Sequence, residues 1–570
     1  MFFSALLAIT LGPCLMLLLI RGKIAPEHKN PISRFLIWVY QPFVHAVLKY
    51  RKTTLALALL AMASTVPIFF KLGTEFMPPL YEGSLLYMPI GLPSMSITEA
   101  QKVLQLQDKI LRQFPEVQSV FGKAGRARTA TDPAPLEMIE TTVVLKPDRE
   151  WRPGMTPEKL VAEMDAALKI PGLSNSWTMP IRGRTDMLTT GIRTPIGIKI
   201  LGPNLQQIEA LGQEVEMALR DIPGTRNVFA ERVTGGYFFD FEVDRAAVAR
   251  YGLTVGDVQD VIETAIGGDS ITTTVEGRQR FPVNVRYARD FRDDFSKLAR
   301  ILVSTPMGAQ VPITQLASLR LTSGPPVVKS EDAELVGYVF VDVEGRDLGG
   351  YVEDAKRVVA ERVALPTGYH LAWSGQYEFL QRAKERLKYV IPVTLFIIFV
   401  LLYMSTNSVT KVFIVFLAVP FSLIGAFWLL YLLDYHLSIA VAVGIIALAG
   451  VDAETGVVML LYLDLAYAKW KKKGLLRSAK DLEDAVVEGA VKRVRPKMMT
   501  VMAILMGLLP IMWGTGAGSD VMKRIAAPMV GGVVTSFILE LLVYPVIFTI
   551  WKWNWEIKPA LKSAEEAEGG

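Results

Sequence analysis

Two acidic residues interrupt an apolar stretch that is long enough to cross a lipid bilayer. The stretch runs from residue 437 to residue 463, and its centre contains Asp452 and Glu454. An isolated carboxylate is very unfavourable in hydrocarbon, so such a side chain faces protein or water and either binds a proton or pairs with a cation. The pattern therefore indicates a proton-coupled membrane protein, with Glu454 as the first candidate residue.

The nearest basic candidate in the sequence is Lys497, which begins the following apolar run. Two interpretations fit this position. Lys497 pairs with Glu454, or it belongs to a basic cytoplasmic loop and extends its ammonium group to the lipid headgroups. Asp452 and Glu454 are two residues apart, roughly 200° around a helix, so they cannot share one face. Asp452 is therefore a further candidate, either in place of Glu454 or as a separately titrating acid.

Apolar segments of spanning or near-spanning length recur along the chain, and they predict an α-helical transmembrane bundle of about seven spans. The segments are 2–20, 53–70, 387–404, 410–433, 437–463, 498–513 and 526–551. Lys and Arg residues concentrate between the first two spans and before the sixth, which predicts that both loops are cytoplasmic. The polar stretch 71–388 then lies on the far side of the membrane. The net charge of +5 is mostly explained by these loops, so no nucleic-acid partner is predicted.

The polar stretch itself predicts a large α+β region. A strand, helix and strand are expected at 84–122, and the same order recurs at 196–232, followed by a strand at 237–243 and a helix at 254–266. This repetition predicts paired split β-α-β subdomains of the ferredoxin-like kind. A third mixed section, at 282–377, is expected to contain strands at 283–287 and 335–343.

Several kinds of chemistry are absent from the sequence. It contains no Gly-rich phosphate loop of the Walker type, and its four histidines lack the spacing of a zinc-binding helix. Its one cysteine, Cys14, excludes an intrachain disulfide. An ion gradient is therefore the energy source for which the sequence offers residues. The chain also starts inside an apolar run without the features of a signal peptide, which suggests that a preceding half is lost or supplied separately.

Methionine supplies the other candidate ligands. The chain has 22 methionines, and many of them lie in the polar stretch. A thioether is a soft, neutral ligand that suits Cu(I) and, by the same argument, Ag(I). Each methionine also fits a simple packing role, because its flexible side chain fills gaps in apolar cores.

Five longer strings resemble those of one transporter family. They are RVRPK at 493–497, GLLPIMWGTGAG at 507–518, RIAAPM at 524–529, TATDPAPLEM at 129–138 and WRPGM at 151–155. The strings resemble the heavy-metal efflux branch of the resistance-nodulation-division transporters, in its copper- and silver-exporting type. The resemblance runs over nearly the whole chain, and it covers the C-terminal half of such a pump.

The resemblance implies a set of site residues. It places a three-methionine metal site at Met88, Met138 and Met187, and a methionine that relays metal from the membrane region at Met522. It also places charged residues around the cleft between the porter subdomains, where surface ion pairs are the alternative interpretation. These residues are Glu82, Asp132, Glu140, Arg184 and Arg193.

The resemblance further implies two members of a proton relay, Glu454 and Lys497. The third member is an aspartate on the fourth transmembrane helix of the complete pump, which lies outside the half that is matched. Ser270 is a second departure, because the family pattern has a funnel methionine there. Since the relay is incomplete, transport by this chain alone is not expected.

The domain organisation follows from the same resemblance. The implied parts are transmembrane helices 6 and 7 with a cytoplasmic connecting helix at 1–71, a PC1-like porter subdomain at 72–195, a docking subdomain with a PC2-like porter subdomain at 196–385, transmembrane helices 8 to 12 at 386–556, and a cytoplasmic tail at 557–570. In the family, the pump is a homotrimer of the Gram-negative inner membrane, joined to a periplasmic adaptor and an outer-membrane channel.

The function expected from these observations is proton-driven efflux of Cu(I) or Ag(I), without a cofactor, by a secondary transporter rather than an enzyme. The missing half of the pump is an expected partner if it is encoded separately. Two alternatives remain open at this point. The chain is half of a divalent-cation or drug pump, or it is a nonproductive fragment or membrane-tethered module that binds metal in the periplasm.

Overall fold

The structure is a computed structural model. It describes residues 2–19, 30–78, 81–91, 93, 95–125, 135–516 and 518–559. The chain divides into two compact units. The membrane unit comprises Met1–Ser84, Val343–Lys356 and Gly375–Gly570, and the α+β unit comprises Leu85–Asp342 and Arg357–Ser374.

The α-helices of the described chain are, in order, α1 (Phe2–Leu19), α2 (Pro31–Lys49), α3 (Arg51–Lys71), α4 (Ile97–Leu111), α5 (Pro157–Ala167), α6 (Pro180–Thr190), α7 (Leu205–Arg220), α8 (Arg245–Arg250), α9 (Val255–Ile262), α10 (Phe295–Leu298), α11 (Leu348–Arg362), α12 (Gln376–Thr406), α13 (Val409–Phe416), α14 (Ala418–Leu432), α15 (Ile439–Lys472), α16 (Ala479–Trp513) and α17 (Ser519–Lys552).

The strands are β1 (Ser84–Tyr87), β2 (Val117–Lys123), β3 (Glu140–Leu145), β4 (Trp177–Thr178), β5 (Ile196–Gly202), β6 (Thr225–Ala230), β7 (Gly236–Val243), β8 (Asp269–Glu276), β9 (Gln279–Val285), β10 (Leu302–Ser304), β11 (Gln310–Pro312), β12 (Ala317–Gly324), β13 (Ser330–Glu331), β14 (Glu334–Val343) and β15 (His370–Gly375). The strand expected at 283–287 begins earlier, because it is the second half of the β8–β9 hairpin.

Six helical segments of the described chain are long and apolar enough to cross a membrane. They are α3, α12, α13 with α14, α15, α16, and α17 extended to Ile557. The first predicted span falls in α1, where Leu6–Leu19 is a shorter apolar helix. A multi-pass helical bundle is thus present, and the count of seven crossings stays a prediction.

The long membrane helices start at polar caps. Ser438 accepts a hydrogen bond from the backbone of Val441 at the start of α15, and Ser478 does the same for Asp481 at the start of α16. These caps satisfy backbone groups that have no partner within the helix. Lys469, Lys471 and Lys472 end α15, where cations are favoured by the helix dipole. The caps set where α15 and α16 begin. They therefore help to set the positions of Asp452 and Lys497 along the axes of these helices.

Two glycines bring α14 and α17 into close contact. A Cβ atom added to Gly425 would collide with the backbone of Gly531, and one added to Gly531 would collide with that of Gly425. Small residues at such crossings let helix backbones approach within a membrane. This contact anchors α17, whose other faces pack on α15 and α16.

The α+β unit begins with a four-stranded sheet in the order β2-β3-β1-β4, with α4 and α5 in the crossover positions along the chain. This is the strand order of a split β-α-β fold. The second sheet follows the same scheme, because β14 lies between β5 and β6, and β15 lies on the other side of β5. The segment β7–β12 is inserted between β6 and β14 of this second sheet.

The inserted segment contains two long antiparallel pairs. Strands β7 and β12 pair over eight residues, from Gly236 with Gly324 to Val243 with Ala317. Strands β8 and β9 form a hairpin in which every residue is exposed. A separate apolar core lies under the insertion, around Val258, Leu298 and Ile313.

Candidate functional site

A buried ion pair joins α16 to α17 in the membrane unit. The Lys497 side chain is 1% exposed and that of Glu540 is 0% exposed, and the Lys497 ammonium donates a hydrogen bond to Oε2 of Glu540. The second oxygen of Glu540 accepts hydrogen bonds from Ser536 Oγ at 2.8 Å and from Thr455 Oγ1 at 3.2 Å. The carboxylate is therefore held by side chains from three helices.

Asp452 lies in the same buried cluster. It is 2% exposed, and the side chains of Ser422 and Ser536 are its hydroxyl-bearing neighbours. Its Oδ2 atom has no hydrogen-bond partner within the described residues. Lys497 and Glu540 both interact with it electrostatically. The cluster thus contains two acids and one base in the interior of the helical bundle.

The structure does not form the expected pair of Glu454 and Lys497. Glu454 lies on an exposed side of α15, whereas Asp452 faces the interior. The reason is the helical period, which turns these two side chains to opposite sides. The interpretation of Lys497 as a snorkelling loop residue is also wrong, because its whole side chain is buried against Glu540.

Glu540 is a functional candidate that the sequence reasoning missed. It is the only charged residue in the apolar segment 526–551. The criterion that selected Glu454, an acid within a spanning segment, applies equally to this position. Met522, the predicted relay residue, lies near the start of the same helix with its side chain half exposed.

A cavity of about 560 Å³ lies in the α+β unit between the two sheets. Its wall includes Met138 and Met187 together with Arg184 and Arg193. Met88 is fully buried, donates its backbone N–H to Ser176 at 2.9 Å, and is not among the described residues that line the cavity. The structure therefore brings two of the three predicted methionines to one cavity.

Arg193 contacts the thioether of Met138 directly. Its Nη1 donates to Met138 Sδ, and its guanidinium carbon lies 4.2 Å from the centroid of the Phe340 ring. Its Nε has no hydrogen-bond partner within the described residues. Burial lowers the pKa of Arg193 to about 10, although Glu231 and Glu140 oppose this shift. The side chain is still a cation at neutral pH, and it occupies one face of the Met138 sulfur.

Two acidic residues that line this cavity, Glu231 and Glu331, are held in ion pairs, and so is Glu140, which pairs with the lining residue Arg184. Glu140 is buried and lies 3.1 Å from Lys123 and 3.9 Å from Arg184. Glu231 pairs with Lys329 at 2.6 Å. Glu82 is partly exposed in the segment before β1, and Asp132 lies outside the described residues. No group of three or more His, Cys, Asp or Glu side chains in the described chain is arranged to hold a metal ion.

Comparisons with known proteins agree over almost the entire chain. Residues 1–552 match the sequence model of the AcrB/AcrD/AcrF family. The chain is 47% identical over 549 residues to the cation efflux system protein CusA of Escherichia coli (strain K12), an alignment that covers 96% of this chain and 52% of the relative. It is 46% identical over 552 residues to the cation efflux system protein SilA of Salmonella typhimurium, covering 96% and 53%.

A solved structure supports the same assignment. The crystal structure of a heavy metal efflux pump superimposes with a TM-score of 0.81 at 28% identity, covering 91% of this chain and 52% of that one. The chain spans about half the length of the curated relatives that it matches. It therefore belongs to the AcrB/AcrD/AcrF family of secondary transporters, within the heavy-metal efflux branch of the resistance-nodulation-division group.

Proposed function

We propose that this chain works as half of a proton-driven exporter of soft monovalent metal ions, Cu(I) or Ag(I), in the inner membrane of a Gram-negative bacterium. The observation that carries the proposal is the cavity in which Met138 and Met187 face the same space and the Met138 sulfur already holds a cationic group. Thioethers are neutral, soft ligands, so they bind monovalent soft cations and have little affinity for hard divalent ions.

The charges around the cavity support the choice of a monovalent ion. Glu140 and Glu231 are neutralised by Lys123, Arg184 and Lys329, so neither carboxylate is free to hold a divalent cation. The metal replaces the Arg193 guanidinium at the Met138 sulfur, and Met187 supplies a second thioether. Met88 completes the site if the wall of the cavity moves.

Energy coupling is assigned to the buried acids and Lys497 in the membrane unit. When one of these groups gains or loses a proton, the net charge inside the helical bundle changes. The relative populations of the conformations in which the helices pack differently then change as well. Glu454 keeps its predicted role in the proton relay, from the exposed side of α15, where it would meet the other half of the pump. Met522, near the start of α17, is assigned to metal entry from the membrane region.

Assembly partners complete the proposal. The full pump is a homotrimer that contacts a periplasmic adaptor and an outer-membrane channel. The β8–β9 hairpin supports self-association, because Ile271, Phe281 and Val283 are exposed on an isolated two-stranded ribbon, a structure of marginal stability without a partner.

The metal site is tested by calorimetric titration of the purified chain with Ag(I), beside a variant that carries Met88→Ile, Met138→Ile and Met187→Ile. We expect binding at about micromolar affinity in the parent chain and at least a tenfold loss in the variant, since isoleucine keeps the volume but lacks the sulfur. A matched control carries Met217→Ile and Met307→Ile, two exposed methionines of the same unit, and should bind normally.

Zn(II) titration distinguishes the alternative. Equal Ag(I) binding by the parent chain and the triple variant would show that these methionines only pack. Tight Zn(II) binding in both proteins would instead favour a pump for divalent cations.

A further inference from the structure

The buried cluster of Asp452, Lys497 and Glu540 is unfavourable for stability alone. Taking three ionisable groups out of water has a large desolvation penalty, and apolar residues of similar volume often stabilise such a position better than an ion pair does. Ionisable groups inside a membrane bundle are therefore expected to have a function. The relay implied by the resemblance does not include Glu540, so the role of this residue needs a separate account.

The charge balance implies one bound proton. Lys497 is neutralised by Glu540, and ionisation of Asp452 would leave an uncompensated negative charge beside them. Arg493 on α16 and Tyr544 on α17 are the other ionisable side chains that interact with Glu540. On α15, Glu454 is exposed and interacts with Arg493, and α14 contributes the Ser422 hydroxyl without a charged side chain. The neutral cluster therefore contains two carboxyl groups that share one proton.

The hydroxyl groups indicate where this proton lies. Ser536 Oγ donates to Glu540, and Ser422 Oγ donates to the backbone oxygen of Val419 at 2.8 Å. A hydroxyl has one proton to donate, so neither serine, while it donates as observed, also donates to Asp452. A neutral Asp452 fits this arrangement, since its buried Oδ2 has no hydrogen-bond partner within the described residues.

Ser536 donates to Glu540 and is also a neighbour of Asp452, so it is placed to pass a proton between the two acids. If Asp452 gives its proton to Ser536 Oγ while Ser536 gives its own proton to Glu540, the hydrogen bonds reverse, Glu540 becomes the neutral acid and Asp452 becomes the carboxylate. No bond other than these O–H bonds is made or broken, and the charge of the cluster is unchanged. Lys497, which interacts with both acids, would then follow the negative charge to Asp452.

We propose that Glu540 is a proton-binding residue of the coupling site, which exchanges a proton with Asp452 through Ser536 while Lys497 moves between the two acids. This inference rests on the proposed proton-driven function. It adds a second proton-carrying acid on α17, the helix that packs on α14, α15 and α16, so that proton movement changes the contacts between these helices.

The test is infrared difference spectroscopy of the full chain in proteoliposomes during a pH titration, with the protein grown on glutamate that carries ¹³C in its side-chain carboxyl group. The label shifts the C=O band of protonated glutamate and leaves that of aspartate in place. We expect a titrating band with a label-shifted component that disappears in Glu540→Gln. Glu276→Gln, a matched control in the exposed strand β8, should keep it.

Two further variants separate a proton-binding role from a structural one. Glu540→Asp should transfer the signal to the unshifted aspartate position, and Ser536→Ala should divide the shared titration into separate aspartate and glutamate steps. A titrating band without any label-shifted component in the parent chain would overturn the proposal. Because Ag(I) binding to the methionines is measured separately, normal metal binding with no glutamate signal would reject this inference and leave the metal site intact.

Discussion

At the scale of single residues, the contact between Arg193 and Met138 has the most direct consequence for metal binding. The guanidinium donates to the sulfur that is proposed to hold the metal, and it remains charged at neutral pH. Two unit charges about 5 Å apart repel each other by roughly 3 kcal/mol at an effective dielectric constant near 20. Arg193 therefore opposes metal binding unless its side chain moves away.

Replacement of this arginine should strengthen metal binding. We expect Arg193→Leu to raise the affinity for Ag(I) by about tenfold, because the variant removes the competing cation and keeps an apolar group against Phe340. Calorimetric titration measures the change. Arg184→Leu is the control, since Arg184 lines the same cavity but is 43% exposed and its charge is screened by water. An unchanged or weaker affinity in Arg193→Leu would show that the guanidinium assists the metal site.

At the scale of secondary structure elements, the positions of the coupling groups depend on how the membrane helices cross. Glu540 reaches Lys497 only because α17 is held close to α14 on one side and to α15 and α16 on the others. The contact between Gly425 and Gly531 sets the distance between α14 and α17. A larger side chain there would push α17 away from its neighbours.

Two glycine substitutions test this dependence. We expect Gly425→Ala to lower the thermal unfolding midpoint in detergent by several degrees, because the added Cβ would collide with α17 and overpacking destabilises by roughly 1–3 kcal/mol. Gly450→Ala is the control, since a Cβ at this position of α15 meets nothing within 4 Å. Equal midpoints for the two variants would mean that α14 and α17 adjust without strain.

At the scale of the whole molecule, the sequence predicts the side of the membrane on which each connecting segment lies. Lys469, Lys471 and Lys472 at the end of α15 predict that the loop between α15 and α16 is cytoplasmic, and the predicted span count then makes the β8–β9 hairpin periplasmic. The single cysteine, Cys14, makes the predicted membrane topology simple to test by cysteine labelling, because its replacement gives a chain without thiols.

Cysteine labelling should show this orientation. In a Cys14→Ser background, Thr273→Cys in β8 should react with a membrane-impermeant maleimide in cells whose outer membrane is permeable to it, since β8 is exposed and is predicted to be periplasmic. Lys473→Cys, just after α15, should react only after the inner membrane is opened. Labelling of both positions under the first condition would contradict the predicted topology.

Much of the fold could be predicted from the sequence, because it depends on local patterns. The apolar segments around α3, α12, α15 and α17 are long enough to span a bilayer, and the alternation and turn signals locate β1, β5 and β14 within a few residues. The heavy-metal efflux assignment is confirmed by the comparisons. It could be made from the sequence because strings such as RVRPK at 493–497 are specific to the family. The methionine site stays a prediction.

The candidate site was less accessible to sequence reasoning. The expected partner of Lys497 was Glu454, whereas the observed partner is Glu540, which lies 43 residues along the chain on another helix. Similarly, the resemblance placed Arg193 and Met138 near the same cleft, but only the structure shows that the guanidinium contacts the sulfur.

By itself, the sequence determined that this chain crosses a membrane several times, carries an α+β region between its spans and places acids where hydrocarbon would otherwise be. These properties follow from the length and the periodicity of the apolar segments. Both can be read from one continuous stretch of sequence. Only the tertiary structure decided that Asp452 and Glu540 face Lys497 while Glu454 does not. That choice depends on the rotation and crossing of α15, α16 and α17, which are set by close contacts between residues far apart in the chain, such as Gly425 and Gly531.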